Sequence, residues 1–332
     1  MILNLIKQCS LIVLFTAIGQ AMIGLACGGT VDGAGGNASG PESVHAVASM
    51  YPWEYFTERI GGERVRVDGV VPAGGDAHDF EPTPDDLRHI ANADLFIYNG
   101  LGFESWVDSL LAAGDAPDIA VQASSESNAR YFGSDDIDAG SEDSHGGEDS
   151  HGHEDGELDP HMWLDPVLAI TQARAIEAGL TAVDPDGRFV YEGNTNALIA
   201  DLTALDGEFS STLQSCRGDT FVTSHDSFNY MAARYDLNAV GISGINPEAE
   251  PSPKALADLS EAITETGIRY VLVSPIDSER MSDTLARETG VQALPLHSLQ
   301  NMRQDQKDDG ETYFTLMGAN LESLAIALEC AS

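Results

Sequence analysis

Strand-like and helix-like segments alternate along most of this chain, and a long helical stretch with few helix breakers divides the alternation in two. Strands that alternate with helices form mainly parallel sheets, because each crossover helix returns the chain to the same end of the sheet and the next strand runs in the same direction. The 332 residues also exceed one ordinary domain. We therefore predict two α/β lobes, with the long helix placed to join them.

The pattern gives bounds for the individual elements, and Thr83 with Pro84 marks one helix start by its capping chemistry. The predicted strands are Val44–Met50, Val65–Val71, Asp94–Tyr98, Asp118–Val121, Thr220–Thr223, Val240–Ser243, Tyr270–Ser274 and Gln292–Leu296. The predicted helices are Pro52–Ile60, Thr83–Ala91, Glu104–Ala113, Pro166–Val183, Phe189–Leu213, Phe228–Tyr235, Pro253–Thr266, Met281–Thr289 and Tyr313–Glu329.

The N-terminus has the features of an export signal. Lys7 precedes an apolar run, Leu11–Ala26, that is too short for a convincing membrane span. Leu25-Ala26-Cys27 resembles the end of a bacterial lipobox, in which the cysteine is acylated. Because Gly24 stands where that signal usually has leucine, a plain signal peptide is the alternative.

These features divide the chain into five segments. We predict a lipoprotein-type signal peptide over 1–26, a flexible tether over 27–43, a first lobe over 44–184, a linker helix over 185–215 and a second lobe over 216–332. Within the first lobe we predict a disordered loop over 134–158, because its Ser, Gly, Asp, Glu and His residues cannot bury enough apolar surface to order it.

The formal net charge is −38. A field of that sign repels phosphate backbones, so nucleic acid is not an expected partner. With Cys9 inside the signal and Cys27 as the expected acylation site, two cysteines remain, and exported proteins fold where thiols oxidise. We predict that Cys216 and Cys330 form a structural disulfide bond.

Four of the nine histidines have contexts that favour metal binding. His78, His225 and His297 each follow a predicted strand, and ligands of parallel sheets collect at the carboxyl ends of strands. His161 lies between two Asp-Pro turns that fix its backbone. Neutral imidazoles suit zinc, whereas calcium and magnesium prefer oxygen ligands.

Three further histidines lie in the predicted loop. Glu-Asp-Ser-His occurs twice there, and His145, His151 and His153 are surrounded by carboxylates. Such side chains on a mobile tether hold metal weakly and raise its local concentration. We predict a second, fast-exchanging site; the alternative is an acidic linker with incidental histidines.

Three sequence strings closely resemble motifs of the cluster A-I metal-binding proteins, the zinc and manganese receptors of ABC importers. They are His78-Asp79-Phe80-Glu81-Pro82-Thr83-Pro84, Asp159-Pro160-His161-Met162-Trp163-Leu164-Asp165-Pro166 and Ser224-His225-Asp226-Ser227-Phe228. The resemblance runs from about Val44 to Ser332. It implies two similar lobes joined by a rigid helix, with metal in the cleft and His78, His161 and His225 as ligands.

The fourth ligand departs from the family pattern. His297 stands where many members have a carboxylate, and loss of a hard oxygen ligand favours zinc over manganese. Water or an acid such as Asp277 is the alternative ligand. The resemblance also implies a membrane permease as partner and an extracytoplasmic location, either lipid-anchored or periplasmic. A monomer is the default expectation. Similar cysteine pairs and His-rich inserts occur in the family.

Other functions fit the sequence less well. Manganese or iron is the nearest alternative cargo. A zinc hydrolase would need an open coordination position, and neither His-Glu-x-x-His nor Gly-x-Ser-x-Gly is present. A surface adhesin is favoured by nothing beyond surface exposure. We therefore predict a transport receptor and not an enzyme.

Overall fold

The computed structural model describes residues 43–125, 128–132, 157–243, 267–275 and 290–331. Within these residues, no helix combines the length and the apolar character needed to cross a membrane.

The first lobe contains a four-stranded parallel sheet in the order β2-β1-β3-β4. Its elements are β1 (Val44–Ala48), α1 (Tyr51–Gly61), β2 (Val65–Gly69), α2 (Pro84–Ala91), β3 (Leu95–Tyr98), α3 (Val107–Ala113) and β4 (Ala120–Gln122). Thr83 caps α2 as predicted, since its hydroxyl accepts from Asp86 N while the Asp86 carboxylate accepts from Thr83 N.

The helix α3 begins later than predicted. Gly100, Leu101 and Gly102 all have positive φ, so the backbone turns before the helix starts. The Glu104 carboxylate accepts hydrogen bonds from the backbone N–H groups of Asn99 and Gly100 instead of occupying a helical turn.

The second lobe repeats the same connectivity. Its parallel sheet has the order β10-β9-β7-β8, so in both lobes the first strand lies between the second and the third. Its elements are β7 (Thr220–His225), α6 (Asn229–Arg234), β8 (Asn238–Ser243), β9 (Tyr270–Val273), β10 (Gln292–Pro295), α7 (Gln304–Asp308) and α8 (Tyr313–Ala327). The short helix α7 was not predicted, and the predicted helices Pro253–Thr266 and Met281–Thr289 lie outside the described residues.

Two consecutive helices connect the two sheets along the chain: α4 (Pro166–Val183), which packs on the first sheet, and α5 (Arg188–Leu213), which joins the lobes. Asp165 caps α4 and Pro166 occupies its first turn. Arg64 binds the Asp184 carboxylate with two nitrogens, at 2.8 and 2.9 Å, where α4 turns into α5. The prediction of two parallel-sheet lobes and a long joining helix is confirmed.

A short strand occupies the last two residues of the segment predicted as a disordered loop, 134–158. Backbone groups of β5 (Tyr131–Phe132) and β6 (Glu157–Leu158) pair in an antiparallel ladder. This pairing joins segments that are distant in sequence, so the local composition gave no sign of it. Residues 133–156 lie outside the described residues.

A disulfide bond joins Cys216 to Cys330, as predicted. It links the end of α5 to the segment after α8 across a sequence separation of 114 residues. Closing a loop of that length contributes about 4–5 kcal/mol to stability in the chain-entropy account. The bond therefore holds the C-terminus against the second lobe.

Candidate metal centre

The segment that carries His78 connects β2 to α2, and contacts from the second lobe fix it. The His78 backbone N–H donates to Asp76 Oδ1 at 2.9 Å, and Gln300 Nε2 donates to the same oxygen at 3.1 Å. Asn301 Nδ2 donates to Pro72 O at 2.6 Å. Residues just after His297 in the sequence thus hold the His78 loop in place.

His161 is fully buried, directly before a 3₁₀ turn at Met162–Leu164. Its backbone N–H and its ring Nδ1 both lie 2.8 Å from Asp159 Oδ1. A carboxylate oxygen accepts from the ring, so the ring proton belongs on Nδ1 and the Nε2 lone pair points away from Asp159.

The structure brings His78 and His161 together. Their Nε2 atoms are 3.1 Å apart, and their ring centroids are 5.1 Å apart. Phe103 packs against His78 with ring centroids 4.1 Å apart, and Trp163 lies 5.1 Å from the ring of His161. The two nitrogens therefore face each other beside buried aromatic side chains.

A buried polar network supports the backbone beside His161. Asn99 Nδ2 donates to Pro160 O at 3.2 Å, and Asn99 Oδ1 accepts from Ser124 Oγ at 2.7 Å. Glu104 accepts from Ser49 Oγ and from two backbone N–H groups. Complete burial raises the pKa of Glu104, although these donors oppose the shift. The network fixes the position of Pro160, and with it the residue that follows.

The Asp159 carboxylate is also held from the second lobe. Asn229 Nδ2 donates to Asp159 Oδ2 at 3.1 Å, and Tyr230 OH donates to Asp159 O at 2.9 Å. Both residues lie on α6, which follows β7 and His225. The second lobe therefore orients the acid that orients His161.

His225 is the last residue of β7 and pairs with Ser243 of β8. The structure describes its backbone but not its side chain. The pKa of the next residue, Asp226, is raised by burial and by the charge of Asp159, while the Gly241 N–H and His161 lower it. Asp226 therefore belongs to the electrostatic surroundings of His161. A Cβ at residue 241 would collide with the Asp226 carboxylate, so this position requires glycine.

His297 follows β10 and is partly buried. Its backbone N–H donates to Asn320 Oδ1 at 2.6 Å, and its carbonyl accepts from Asn320 Nδ2 at 2.8 Å. Its ring Nδ1 lies 3.4 Å from Gln306 Nε2. Among the described contacts, none joins this ring to His78 or His161. Burial and the positive charge of Arg303 lower the pKa of His297.

Ser298 connects the His297 segment to the His161 segment. The indole Nε1 of Trp163 donates to Ser298 O at 2.7 Å, and Tyr313 OH donates to Trp163 O at 2.6 Å. The segments that follow His225 and His297 thus both begin at the ends of strands in the second lobe. Both contact the motif around His161.

Comparison with known proteins identifies the family. The model of the ZnuA family, described as the periplasmic component A of a zinc-uptake complex, matches residues 46–327. The chain belongs to the ZnuA family.

Individual relatives agree with this assignment. The chain is 35% identical to the high-affinity zinc uptake system protein ZnuA of Bacillus subtilis, over 95% of this chain and 97% of that protein. It is 34% identical to the zinc-binding lipoprotein AdcA of Streptococcus pneumoniae over 85% of its own length, but it spans only 55% of AdcA. These relatives of the ZnuA family are zinc-binding and zinc-uptake proteins, not enzymes.

A solved structure gives the same result for the fold. The Zn(II)-bound ZnuA-like domain of S. pneumoniae AdcA matches with a TM-score of 0.70 and 31% identity, covering 86% of this chain and 99% of that domain. The predicted family, the two-lobe fold and zinc as the ligand of the family are therefore confirmed. The individual ligand residues stay predictions.

Several predicted or alternative site residues lie outside the described residues: Cys27, His145, His151, His153 and Asp277. Conversely, the sequence predicted no role for Asp159, Phe103 and Gln300. Asp159 precedes His161 by two residues, with Pro160 between them, and an aspartate at that spacing commonly accepts a hydrogen bond from the backbone of a turn. This local pattern could have indicated the contact between Asp159 and His161. Phe103 and Gln300 carry no such signal, because only tertiary structure brings them to the site.

Proposed function

We propose that this protein captures one zinc ion with His78, His161, His225 and His297 and delivers it to the membrane permease of an ABC importer. The observation that carries the proposal is the distance between the Nε2 atoms of His78 and His161, which is 3.1 Å. Two nitrogens of a tetrahedral zinc site, with bonds of about 2.0–2.1 Å, lie about 3.3–3.4 Å apart. A shift of a few tenths of an ångström would therefore fit this pair to zinc.

The surroundings of the pair support a metal receptor. Asp159 binds the ring nitrogen of His161 that faces away from His78, which is the arrangement that carboxylates adopt behind metal-binding histidines. Burial and the charge of Arg303 lower the pKa of His297, which favours the neutral imidazole that a metal ligand must be. A shell of imidazoles favours zinc over manganese, which prefers carboxylate and water ligands.

The delivery step and the location rest on the family. A zinc-uptake component of the periplasm works outside the cytoplasmic membrane and hands its ion to a permease. The curated relative AdcA is named a lipoprotein, which supports acylation of Cys27 and a tether over 27–43. We include in the proposal a monomeric receptor whose loop histidines, His145, His151 and His153, hold zinc weakly before it enters the cleft.

The first experiment is a zinc titration of the exported protein by competition with a chromophoric chelator, with manganese as a competing ion. Wild type is compared with variants His161→Ala, His297→Ala and His297→Asp. We expect one tight zinc per protein, resistant to manganese, strongly weakened by His161→Ala and weakened by His297→Ala. Gln304→Ala, an exposed change on the neighbouring helix α7, is the control and should bind zinc like wild type.

Each outcome bears on a separate part of the proposal. Manganese preference in the wild type would refute zinc as the cargo, and an unaffected His297→Ala variant would remove His297 from the shell. Deletion of Ser141–Gly156 should leave the tight affinity unchanged and remove only the weak, fast-exchanging binding that the loop histidines contribute. Zinc-loaded protein should stimulate ATP hydrolysis by the reconstituted permease, whereas the His161→Ala variant should not.

A further inference from the structure

Two histidines have no part in the proposed cleft or loop. They are His45, on β1, and His89, in the last turn of α2. The structure brings both to one carboxylate: His45 Nε2 lies 2.8 Å and His89 Nε2 lies 3.1 Å from Asp68 Oδ2. The two rings meet edge to face, with centroids 5.1 Å apart and an interplanar angle of 87°.

Regular elements hold all three side chains. His45 and Asp68 lie on neighbouring strands, paired in the register His45 with Arg66 and Val47 with Asp68. The His45 backbone N–H donates to Asp94 Oδ2 at 2.8 Å, immediately before β3. A capping box fixes the start of the helix that carries His89. Strands and helices hold ligands more rigidly than loops do, so the cluster is preorganised.

The cluster lies on a different face of the first sheet from the aromatic residues around His161. Alternate residues of a strand share a face, so His45 shares the face of Val47, which packs with Ile90 and Phe96 beneath α2 and α3. Trp163 packs instead in the core formed by the other face, with Ala46 and Ala48. An ion at His45 would therefore be separated from the cleft by the sheet.

The ligand chemistry matches a divalent transition metal. The ligand atoms of His45, Asp68 and His89 all lie within 4.8 Å of one another. Two imidazoles and a carboxylate are ligands that zinc takes at about 2.0–2.2 Å, with water completing the shell of an exposed ion. We propose that His45, Asp68 and His89 form a second, exchangeable binding site for a divalent transition-metal ion on the outer surface of the first lobe.

The side chains are accessible to an incoming ion. The exposed fractions are 19% for His45, 35% for Asp68 and 50% for His89. An aspartate carboxylate is ionised at neutral pH, as a metal ligand must be.

Arg66 competes with a metal for this carboxylate. Its Nη2 lies 3.1 Å from Asp68 Oδ2, the oxygen that both histidines contact. The Arg66 side chain is 60% exposed, so it can leave the carboxylate at little cost when an ion binds. Arg66 therefore lowers the affinity of this site for a metal ion. Removing its charge should raise that affinity, which can be tested directly.

The test uses the full exported chain with His145, His151 and His153 replaced by alanine, so that loop binding does not contribute. Zinc is titrated by calorimetry, and the imidazole nitrogens are followed by long-range ¹H–¹⁵N NMR. We expect one tight event and one weaker event, with the signals of His45 and His89 shifting only during the second. His89→Gln and Asp68→Asn should each abolish the second event and leave the first unchanged, and Arg66→Gln should tighten the second.

The outcomes separate this site from the cleft. A single event in the parent variant, or a second event that survives both His89→Gln and Asp68→Asn, would overturn the second site. His161→Ala should remove the tight event while the weaker one persists, so failure of the cleft proposal is distinguishable. Because His89 is half exposed, His89→Gln should unfold at the wild-type temperature, which excludes a general loss of structure.

Discussion

At the scale of single residues, Asp159 determines how His161 is presented. It is fully buried and binds both the backbone N–H and the ring of His161, while Asn229 and Tyr230 hold it from α6. One carboxylate therefore fixes the tautomer and the orientation of a predicted ligand. Replacing Asp159 should therefore weaken zinc binding more than replacing a buried acid that contacts no predicted ligand.

We expect Asp159→Asn to weaken zinc binding about 10- to 100-fold, as changes behind metal-binding histidines do. The amide removes the charge that stabilises the Nδ1–H tautomer, and its NH₂ group would oppose the Asn229 donor. Chelator competition measures the affinity. Asp108→Asn on the exposed surface of α3 is the control, and equal affinities of the two variants would refute this role for Asp159.

The sequence indicated candidate ligands but gave no indication of their surroundings. His78 and His161 could be found because each lies in a short motif with turn-forming neighbours. Their close approach and the packing of Phe103 on His78 could not, because the partners come from segments that are distant in sequence. The cluster of His45, Asp68 and His89 was missed for the same reason.

At the scale of elements, α5 is tied to the second lobe by a charged pair. Arg234 of α6 binds Asp206 of α5 with two nitrogens, at 2.8 and 3.0 Å, and Tyr235 OH donates to the same carboxylate at 3.1 Å. Phe209 and Tyr235 stack beside it with ring centroids 5.4 Å apart. The hydrogen bond from Arg234 lowers the pKa of Asp206.

This pair gives a pH-dependent stability. Because the folded-state pKa of Asp206 lies below the unfolded value of about 3.9, its stabilisation is complete above that pH and is lost as pH falls through the folded-state pKa. We expect Asp206→Asn to reduce the free energy of unfolding by about 1 kcal/mol at pH 7. In urea unfolding, the difference from wild type should shrink as the pH is lowered from about 4.

Asp201→Asn provides the comparison for this prediction. Asp201 also lies on α5, but it is 51% exposed and pairs with Arg59 through a single nitrogen. Its loss should cost less than the loss of Asp206. A difference between Asp206→Asn and wild type that stayed constant down to acidic pH would contradict the pairing of Asp206 with Arg234.

The long helices were the most predictable elements, since α4 and α5 follow from apolar spacing and from Asp-Pro boundaries. The short helix α7 carries no apolar periodicity and buries no residue, so nothing in its five residues distinguishes it from a turn. The β5–β6 ladder was missed because its strands are only two residues long and their pairing depends on the rest of the fold.

At the scale of the whole molecule, α1 joins the first lobe to both α5 and the C-terminal helix α8. Asn194 of α5 donates to Ile60 O at 2.9 Å. Phe56 of α1 meets Tyr313 of α8 edge to face, with ring centroids 5.0 Å apart. Both rings are fully buried, and one apolar core extends through these helices into both sheets.

Such a core opposes large hinge motion, because separating the lobes would expose aromatic side chains to water. We expect small-angle X-ray scattering profiles of zinc-free and zinc-loaded protein to superimpose. Hydrogen exchange should slow on loading only near the ligand segments and α6. A clear fall in the radius of gyration on zinc addition would show that the lobes close as rigid bodies instead.

The β5–β6 ladder has a consequence for how this protein can change over evolution. Asp159 N donates to Arg130 O at 3.2 Å, so the ladder clamps the chain on both sides of residues 133–156, directly ahead of the Asp159–His161 turn. Because the two ends are held together, a change in the length of the intervening segment does not alter the distance between them. Each doubling of the length of a flexible insert costs only about 0.6 kcal/mol. Lineages facing different zinc supplies can therefore lengthen, shorten or replace the sequence between β5 and β6 while the Asp159–His161 turn keeps its geometry.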